Sequence, residues 1–216
     1  MLLNVNTANQ RSDLVKNLLR EKNPDLVVLE EVDQRWLAEL NELAGIYPHA
    51  VTAPREDNFG IALFSKRPLL NAEVIYLGQA EVPSVVAELD VGEQRVTILG
   101  THPLPPGSRE DARLRNVQLS TISKFLASRR KSVVVLGDLN VTPWSVHFKH
   151  LLDGTGLIDS SQGGGIHPTW PANFFPLRIP IDHCLVSPEV NVVSKQVGRN
   201  VGSDHLPLTV ELAVPR

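Results

Sequence analysis

The sequence has little cysteine, no long apolar run and almost no net charge. Its 1 cysteine, Cys184, excludes an internal disulfide and leaves the compartment open between periplasm and cytoplasm. The 21 basic and 24 acidic side chains give a formal charge of −3, so the chain as a whole does not attract nucleic acid or an anionic membrane. A polyanionic substrate must therefore be held by a local group of side chains.

No stretch approaches the ~18 consecutive apolar residues of a membrane span, and no signal peptide is visible. With 216 residues, of which 42% are hydrophobic, the chain suits one soluble globular domain covering residues 1–216. The first predicted strand begins at Leu2 without a preceding turn. We therefore expect the sequence to be a fragment of a longer protein that lacks an N-terminal segment.

The hydrophobic pattern predicts more strands than helices. Helical spacing of apolar residues predicts helices at about 11–22, 33–44 and 109–129. Strands are predicted at 2–7, 26–31, 60–65, 85–91, 95–101, 132–137, 181–187, 192–197 and 206–213. Because these strands exceed what one twisted sheet holds comfortably, we predict an α/β fold with two stacked mixed β-sheets flanked by helices.

Segment 160–180 is rich in glycine and proline and has no periodicity. Loops of this length inside a compact domain are usually binding loops or disordered. Trp170, Phe174 and Phe175 lie in this segment, and disordered segments seldom carry so many aromatic residues. We therefore predict a binding loop.

Asp138 and Asn140 form the most informative pair in the chain. They follow the apolar run 133–136, and residues two apart on a strand point to the same side of a sheet. Thr142 and Pro143 come next and are typical of a helix start. By itself this pattern is also that of a common turn.

Other polar residues lie at or near the ends of predicted strands, where functional sites are usually built. They are Asn4, Glu31, His102, Asp182, Asp204 and His205. Singly, each has an ordinary structural interpretation, such as a core histidine or a turn residue. Together, the carboxylates and amides suit Mg²⁺ or Mn²⁺ better than Zn²⁺. A metal, a histidine with a carboxylate partner and an Asp-x-Asn pair indicate a hydrolytic site for phosphate esters.

These residues stand in ordered motifs that run through nearly the whole chain. The motifs are an N-terminal asparagine and segments 24–32, 60–66, 100–102, 137–140, 181–183 and 203–208. In this order they resemble the endonuclease/exonuclease/phosphatase superfamily, which includes exonuclease III-like AP endonucleases, pancreatic-type deoxyribonucleases, inositol polyphosphate 5-phosphatases and bacterial sphingomyelinases. The resemblance implies a DNase I-like, four-layer α/β sandwich.

Two details depart from the family pattern or leave it open. Glu30 stands where the family usually has glutamine, and we expect little consequence because Glu31 is the ligand by analogy. The N-terminal asparagine is Asn4, Asn6 or Asn9, and the distance to the next motif favours Asn4.

The resemblance also implies roles for the site residues. Glu31 and Asn4 hold the divalent ion, Mg²⁺ or Mn²⁺, with help from Asp204. His205, oriented by Asp182, contacts the scissile phosphate.

On the same analogy, Asp138 is the acid/base residue for the attacking water and Asn140 positions the phosphoryl oxygens. His102 donates a hydrogen bond or a proton near the phosphate. The identity of the general base stays open between Asp138 and His205.

The resemblance implies a metal-dependent phosphoric ester hydrolase, and we favour a phosphodiesterase or nuclease. The alternatives are a phosphomonoesterase, a phospholipid head-group hydrolase and a non-catalytic binding module of the same fold. Arginines expected to ring the cleft are Arg109, Arg113, Arg115, Arg178 and Arg199. Aromatic residues expected to stack on a base or touch a lipid surface are Trp144, Trp170, Phe174 and Phe175.

The sequence shows no sign of an obligate protein partner, and a phosphate ester, nucleic acid included, is the expected partner. The resemblance is closest to a compact bacterial branch whose members often follow membrane-anchoring segments. A membrane-anchored full-length protein with this domain on the periplasmic side, or a cytoplasmic protein, is therefore expected.

Overall fold

A computed structural model describes residues 1–127 and 132–215. Its strands are β1 (Leu2–Asn4), β2 (Leu26–Glu30), β3 (His49–Ala53), β4 (Ile61–Ser65), β5 (Leu70–Tyr76), β6 (Pro83–Val91), β7 (Gln94–Thr101), β8 (Ser132–Asp138), β9 (Ile158–Asp159), β10 (Asp182–Val186), β11 (Asn191–Val197) and β12 (Leu208–Ala213). Its helices are α1 (Ser12–Lys22), α2 (Gln34–Leu40), α3 (Arg109–Ala127) and α4 (Val146–Thr155), with 3₁₀ turns at Asn41–Leu43 and Phe175–Leu177.

The strands form two mixed sheets. The first has the order β11-β12-β1-β2-β4-β3, and the second has the order β5-β6-β7-β8-β10-β9. Near the centre of each sheet lies one parallel pair, β1 with β2 and β7 with β8. Parallel neighbours need a crossover connection, which α1 and α3 supply. The carboxyl ends of these two pairs meet at the same end of the molecule.

Three apolar layers hold the elements together. The two sheets face each other through a core that includes Val28 and Leu63 from the first sheet and Val134 from the second. Helices α1 and α2 cover the outer face of the first sheet, and α3 and α4 cover that of the second. The prediction of two stacked mixed sheets flanked by helices is therefore confirmed.

Several elements differ from the prediction. Strands β3, β5 and β9 and helix α4 were not predicted as such. The helix start predicted at Thr142–Pro143 lies further along the chain, because the Ser145 hydroxyl caps α4 by accepting a hydrogen bond from the His147 amide, 3.2 Å away. The predicted end of the third helix, at 129, lies outside the described residues.

The first strand is shorter than predicted. It ends at Asn4, and Asn6 has a left-handed backbone with φ of 60°, which a strand cannot accommodate. Among the described residues, no helix is long and apolar enough to cross a membrane.

Candidate active site

A cleft of about 540 Å³ opens where the carboxyl ends of the two parallel pairs meet. Six of the eight predicted site residues line it, namely Glu31, His102, Asp138, Asn140, Asp204 and His205. The other two lie behind the residues that line the cleft, where Asn4 bonds to Glu31 and Asp182 bonds to His205. The structure thus brings all eight residues together around one cavity, from positions far apart in the chain.

Asp138 ends β8 on the floor of the cleft and is only 2% exposed. Its backbone amide donates a hydrogen bond to Glu30, 3.0 Å away, so a residue of the first sheet supports it. Gly137 makes this packing possible, because a Cβ atom there would overlap the Thr101 carbonyl oxygen on β7. Burial raises the pKa of Asp138 to about 8, against the lowering effect of the His205 charge.

Glu30 is fully buried beneath Asp138. Burial, followed by the charges of Asp138 and Asp182, raises the pKa of Glu30 well above its usual range. A protonated glutamic acid has nearly the shape and the charge of glutamine. This is the physical reason to expect little consequence from the departure at this position.

Asn140 reaches the cleft through a turn and not through strand alternation. The strand ends at Asp138, and Asn140 has a left-handed φ of 50°. Its amide donates to Asp138 Oδ1 at 2.9 Å, and its side chain donates to the Pro103 carbonyl at 2.9 Å. The expectation that the pair converges is correct, but the mechanism inferred from the sequence was wrong.

His205 forms a buried chain with two carboxylates. Its Nδ1 lies 2.9 Å from Asp182 Oδ2, and its Nε2 lies 3.5 Å from Asp138 Oδ2. Burial disfavours the charged imidazole, but Asp182 and then Asp138 outweigh burial and raise the pKa of His205 to about 10. Burial also disfavours ionised Asp182, yet the His205 charge lowers the pKa of this carboxyl. The pair is therefore ionic at neutral pH.

His102 has the opposite character. Its Nε2 lies 3.6 Å from Asp138 Oδ2, and its buried Nδ1 has no hydrogen-bond partner among the described residues. Burial and then the His205 charge lower the pKa of His102 to about 3. His102 is therefore neutral at physiological pH and can donate one hydrogen bond into the cleft.

Glu31 and Asp204 form the acidic side of the cleft. Glu31 has a left-handed φ of 58°, which turns it away from the strand that ends at Glu30. The Asn4 side-chain amide donates to Glu31 Oε1 at 2.9 Å. Burial raises the pKa of Glu31 above its ordinary value. In the part of the chain that the structure describes, neither Glu31 nor Asp204 forms an ion pair with a basic side chain.

This donor set fits a divalent metal ion. Glu31 and Asp204 supply carboxylate oxygens, which are donors that Mg²⁺ and Mn²⁺ prefer. Asn4 is fully buried, and its amide oxygen accepts from the Asn6 backbone amide at 3.0 Å. A partly buried carboxylate without a cationic partner is costly unless an ion compensates it. The ligand atoms of Asp138, Asp182 and His205 also lie within 4.8 Å of one another and could hold an ion.

Sequence reasoning missed two residues that contact Asp204. Asn6 donates from its side chain to Asp204 Oδ1 at 2.7 Å, and the Trp170 indole donates to Asp204 Oδ2 at 3.0 Å. The sequence indicates Asn6 only as an alternative to Asn4 and Trp170 only as a stacking residue. Nothing in the sequence indicates which backbone turn brings these donors to Asp204.

The expected ring of arginines is wrong except for one member. Arg115 lines the cleft. Arg113 pairs with Glu110 at 2.7 Å, Arg199 pairs with Glu21 at 2.7 Å, and Arg178 donates to backbone carbonyls. Like these three, Arg109 is absent from the cleft lining. Of the predicted aromatic residues, only Trp170 lines the cleft.

Comparison with known proteins gives the wider context. A family model described as the endonuclease/exonuclease/phosphatase family matches residues 1–205. No curated protein sequence matches the chain.

Solved structures share the fold at low sequence identity. An endonuclease/exonuclease/phosphatase from Beutenbergia cavernae is 21% identical, with a TM-score of 0.81 over 99% of this chain and 70% of that one. D. rerio TDP2 complexed with single-strand DNA product is 16% identical, with a TM-score of 0.79 over 99% and 97% of the two chains. The human nocturnin catalytic domain with bound sulfate is 21% identical, with a TM-score of 0.78 over 98% and 93%. The folds agree, and the family match spans nearly all of the sequence, so the chain belongs to the endonuclease/exonuclease/phosphatase family.

Proposed function

We propose that this protein is a divalent-metal-dependent hydrolase of phosphate esters that acts on phosphodiesters, as nucleases do. One observation carries the proposal. An unpaired acidic side, Glu31 with Asp204, and a buried array of Asp138, His205 and Asp182 face the same cleft. The first group suits a hard cation, and the second suits proton transfer beside a phosphate.

Glu31 and Asp204 would hold Mg²⁺ or Mn²⁺, and Asn4 would keep Glu31 in place through the hydrogen bond it donates to it. When bound, the ion would supply positive charge to the phosphate oxygens and so favour attack at phosphorus. Asn6 and Trp170 would keep the Asp204 carboxylate in place through the hydrogen bonds they donate to it.

The pKa values divide the roles between Asp138 and His205. Asp182 keeps His205 protonated, so His205 donates from Nε2 to a phosphoryl oxygen and stabilises the charge that develops there. A protonated imidazole cannot accept a proton from water. Asp138, whose pKa of about 8 leaves part of it ionised near neutral pH, is therefore the group that in its ionised form orients the attacking water and accepts its proton.

Asn140 and neutral His102 complete the polar wall. The backbone amide of Asn140 is fixed by the hydrogen bond that it donates to Asp138. The side-chain amide of Asn140 would orient phosphoryl oxygens. His102 lies next to the other carboxylate oxygen of Asp138, Oδ2, and would donate one hydrogen bond without adding charge.

A pair of chromogenic esters tests the proposal. We expect purified protein to hydrolyse bis(p-nitrophenyl) phosphate with Mg²⁺ or Mn²⁺ faster than p-nitrophenyl phosphate. Asp138→Asn and His205→Ala should each lower kcat by about 100-fold or more, because each removes a proton-transfer or charge-stabilising group. Asp13→Asn, an exposed acid on α1, is the matched control and should retain full activity.

Absence of turnover with either ester and either ion would contradict the proposal and favour the non-catalytic binding module. Near-normal turnover by Asp138→Asn, with its fold intact by circular dichroism, would remove this residue from the chemistry. A preference for p-nitrophenyl phosphate would favour a phosphomonoesterase.

A specific observation supports a second candidate, a phospholipid head-group hydrolase. Phe174, Phe175 and Leu177 are 54%, 76% and 63% exposed on the same loop as Trp170. Exposed apolar side chains of this size are typical of interaction surfaces. Release of head groups from phosphatidylcholine or sphingomyelin vesicles that is lost in a Phe174→Ser, Phe175→Ser double variant would favour this candidate over the nuclease.

A further inference from the structure

Arg115 is a buried cation in the cleft that the chemistry proposed above does not use. It lies on α3, is 9% exposed and lines the cavity. Its Nη1 donates to the Asn140 carbonyl at 2.7 Å, and its Nε and Nη2 donate to Asn116 Oδ1 at 3.1 and 2.8 Å. A guanidinium has five N–H groups, and these bonds use three of them.

No carboxylate of the described residues compensates this charge. Arg113, two residues earlier on the same helix, pairs with Glu110 at 2.7 Å, whereas Arg115 has no carboxylate partner within the described ranges and bonds only to neutral oxygens. Burial lowers the pKa of Arg115 from its ordinary value, but an arginine in a protein stays charged. A buried cation without a counter-ion is costly and is expected where an anion binds.

The surroundings of Arg115 are also favourable to an anion. Ser145, the N-cap of α4, lines the same cavity. The N-terminus of a helix carries partial positive charge. Arg115 and the start of α4 therefore form a positive patch together.

This positive patch lies apart from the acidic side of the cleft. Glu31 and Asp204 reach the cavity from the first sheet and its loops, whereas Arg115 and Ser145 belong to the helix layer outside the second sheet. Asp138, at the end of β8, lies between them, and one hydrogen-bonded residue, Asn140, separates Arg115 from it. The cleft therefore has an acidic side and a basic side, with the proposed reacting groups in the middle.

We propose that Arg115 and the start of α4 form a subsite for a second phosphate group of the substrate, distinct from the phosphate that is hydrolysed. The substrate class is then a phosphodiester with a neighbouring phosphate, as in an oligonucleotide, whose two adjacent phosphates a nucleoside 3′,5′-bisphosphate imitates. The inference rests on the proposed phosphoesterase function and makes it more specific. A fork of N–H groups on a planar cation suits phosphate oxygens.

The experiment compares substrates that differ by one phosphate. The probes are thymidine dinucleotides without and with a terminal phosphate at the 5′ or the 3′ end, and bis(p-nitrophenyl) phosphate. We expect the wild type to prefer one phosphorylated dinucleotide by about 10-fold or more in kcat/KM, the effect of a charge-assisted hydrogen bond. Arg115→Met should remove this preference, mainly through KM, and lower kcat/KM for bis(p-nitrophenyl) phosphate far less. Arg113→Met is the control and should leave the preference intact.

Two outcomes would overturn the inference. An equal loss on all substrates would mean that Arg115 only holds the Asn140 turn or contacts the scissile phosphate. A wild type that does not distinguish the dinucleotides would mean that there is no second subsite. Turnover of bis(p-nitrophenyl) phosphate by the wild type reports separately on the proposed function.

Binding provides a measurement that needs neither turnover nor a folded Arg115→Met variant. Calorimetry on the wild type should show tighter binding of thymidine 3′,5′-bisphosphate than of either monophosphate, and Arg115→Lys should weaken the bisphosphate alone. Equal affinities for all three ligands in the wild type would contradict the subsite even if the esterase is active.

Discussion

At the scale of single residues, the cleft gives two histidines opposite properties. His205 has a pKa raised to about 10 because the Asp182 carboxylate, 2.9 Å away, outweighs burial. His102 has a pKa lowered to about 3 because burial and then the His205 charge disfavour its protonated form. One imidazole is a fixed cation and the other a neutral donor, although both flank the same Asp138.

The first prediction at this scale concerns Asp182→Asn. Loss of the carboxylate should lower the pKa of His205 from about 10 towards its ordinary value of about 6.5. The alkaline limb of the kcat/KM profile should move to lower pH, and activity at pH 8 should fall by about 30-fold, the loss in the protonated fraction of His205. NMR titration of the His205 ring checks the pKa directly, and an unchanged pKa would contradict the ionic pair.

The same pair makes a pH-dependent contribution to stability. His205 has a folded-state pKa above its unfolded value, so its contribution is fully present below about pH 6.5 and is lost as the pH rises through about 10. The difference in unfolding free energy between the wild type and Asp182→Asn should shrink over this range in urea melts. A constant difference would contradict the linkage.

At the scale of elements, the site depends on how strands end. Glu31 and Asn140 both have left-handed backbones immediately after or close to a strand end. This conformation is unusual for residues other than glycine, and it directs their side chains to the cleft. Gly137, the residue before Asp138 at the end of β8, lets this strand approach Thr101 closely.

Gly137→Ala tests this close approach. The added methyl group would overlap the Thr101 carbonyl, so we expect a loss of roughly 1–3 kcal/mol in the unfolding free energy, as for other overpacked sites. Gly45→Ala is the matched control, because nothing lies within 4 Å of a Cβ there. Equal stability of the two variants in urea melts would show that β7 and β8 can separate without cost.

The sequence predicts the inner strands better than the outer ones. The buried strands β2 and β8 are continuous apolar runs, so composition alone indicates them. The sheet-edge strands β3 and β5 are only partly buried and carry mixed polar and apolar residues, so their pattern is weak. For α4 the sequence indicates only a start, at Thr142–Pro143, and not the extent, because the helix contains histidines, a valine and a glycine, which are weak helix formers.

The same contrast holds for the site. Carboxylates and histidines at strand ends are visible in the sequence, and the structure gathers all eight predicted site residues around one cleft. The bonds of Asn6 and Trp170 to Asp204 join residues 198 and 34 positions apart. No local pattern encodes such contacts, because the packing of loops from separate elements creates them.

At the scale of the whole molecule, a formal charge of −3 hides an uneven distribution. Glu30, Glu31, Asp138, Asp182 and Asp204 gather at one end of the sandwich, and His205 is the adjacent cation. Glu30 is protonated and Asp182 is paired with His205, so the repulsion that opposes folding when no cation is bound is chiefly that between Glu31 and Asp204. A divalent ion would therefore stabilise the protein as well as enable chemistry.

We expect saturating Mg²⁺ or Mn²⁺ to raise the melting temperature relative to protein in chelator. At 100 times the Kd, ligand binding adds about 2.7 kcal/mol, which corresponds to roughly 5–10 °C for a chain of this size. Glu31→Gln should abolish most of the shift, and Asp13→Asn should retain it. A wild-type melting temperature that does not respond to either ion, measured by calorimetry, would contradict the metal site.

The hydrogen bond from the Asp138 amide to Glu30 has a consequence for how the molecule tolerates change. It links the first sheet to the second at the end of the molecule where residues of both sheets line the cleft. Sliding of one sheet over the other would otherwise separate Glu31 and Asp204 from Asp138. At the cleft end, this bond ties Glu30 of the first sheet to Asp138 of the second, and at the opposite edge the pair of Lys195 with Asp159 also joins the two sheets. A substitution that removes the Glu30 carboxyl would therefore be felt first in the spacing between Asp138 and the acidic side of the cleft.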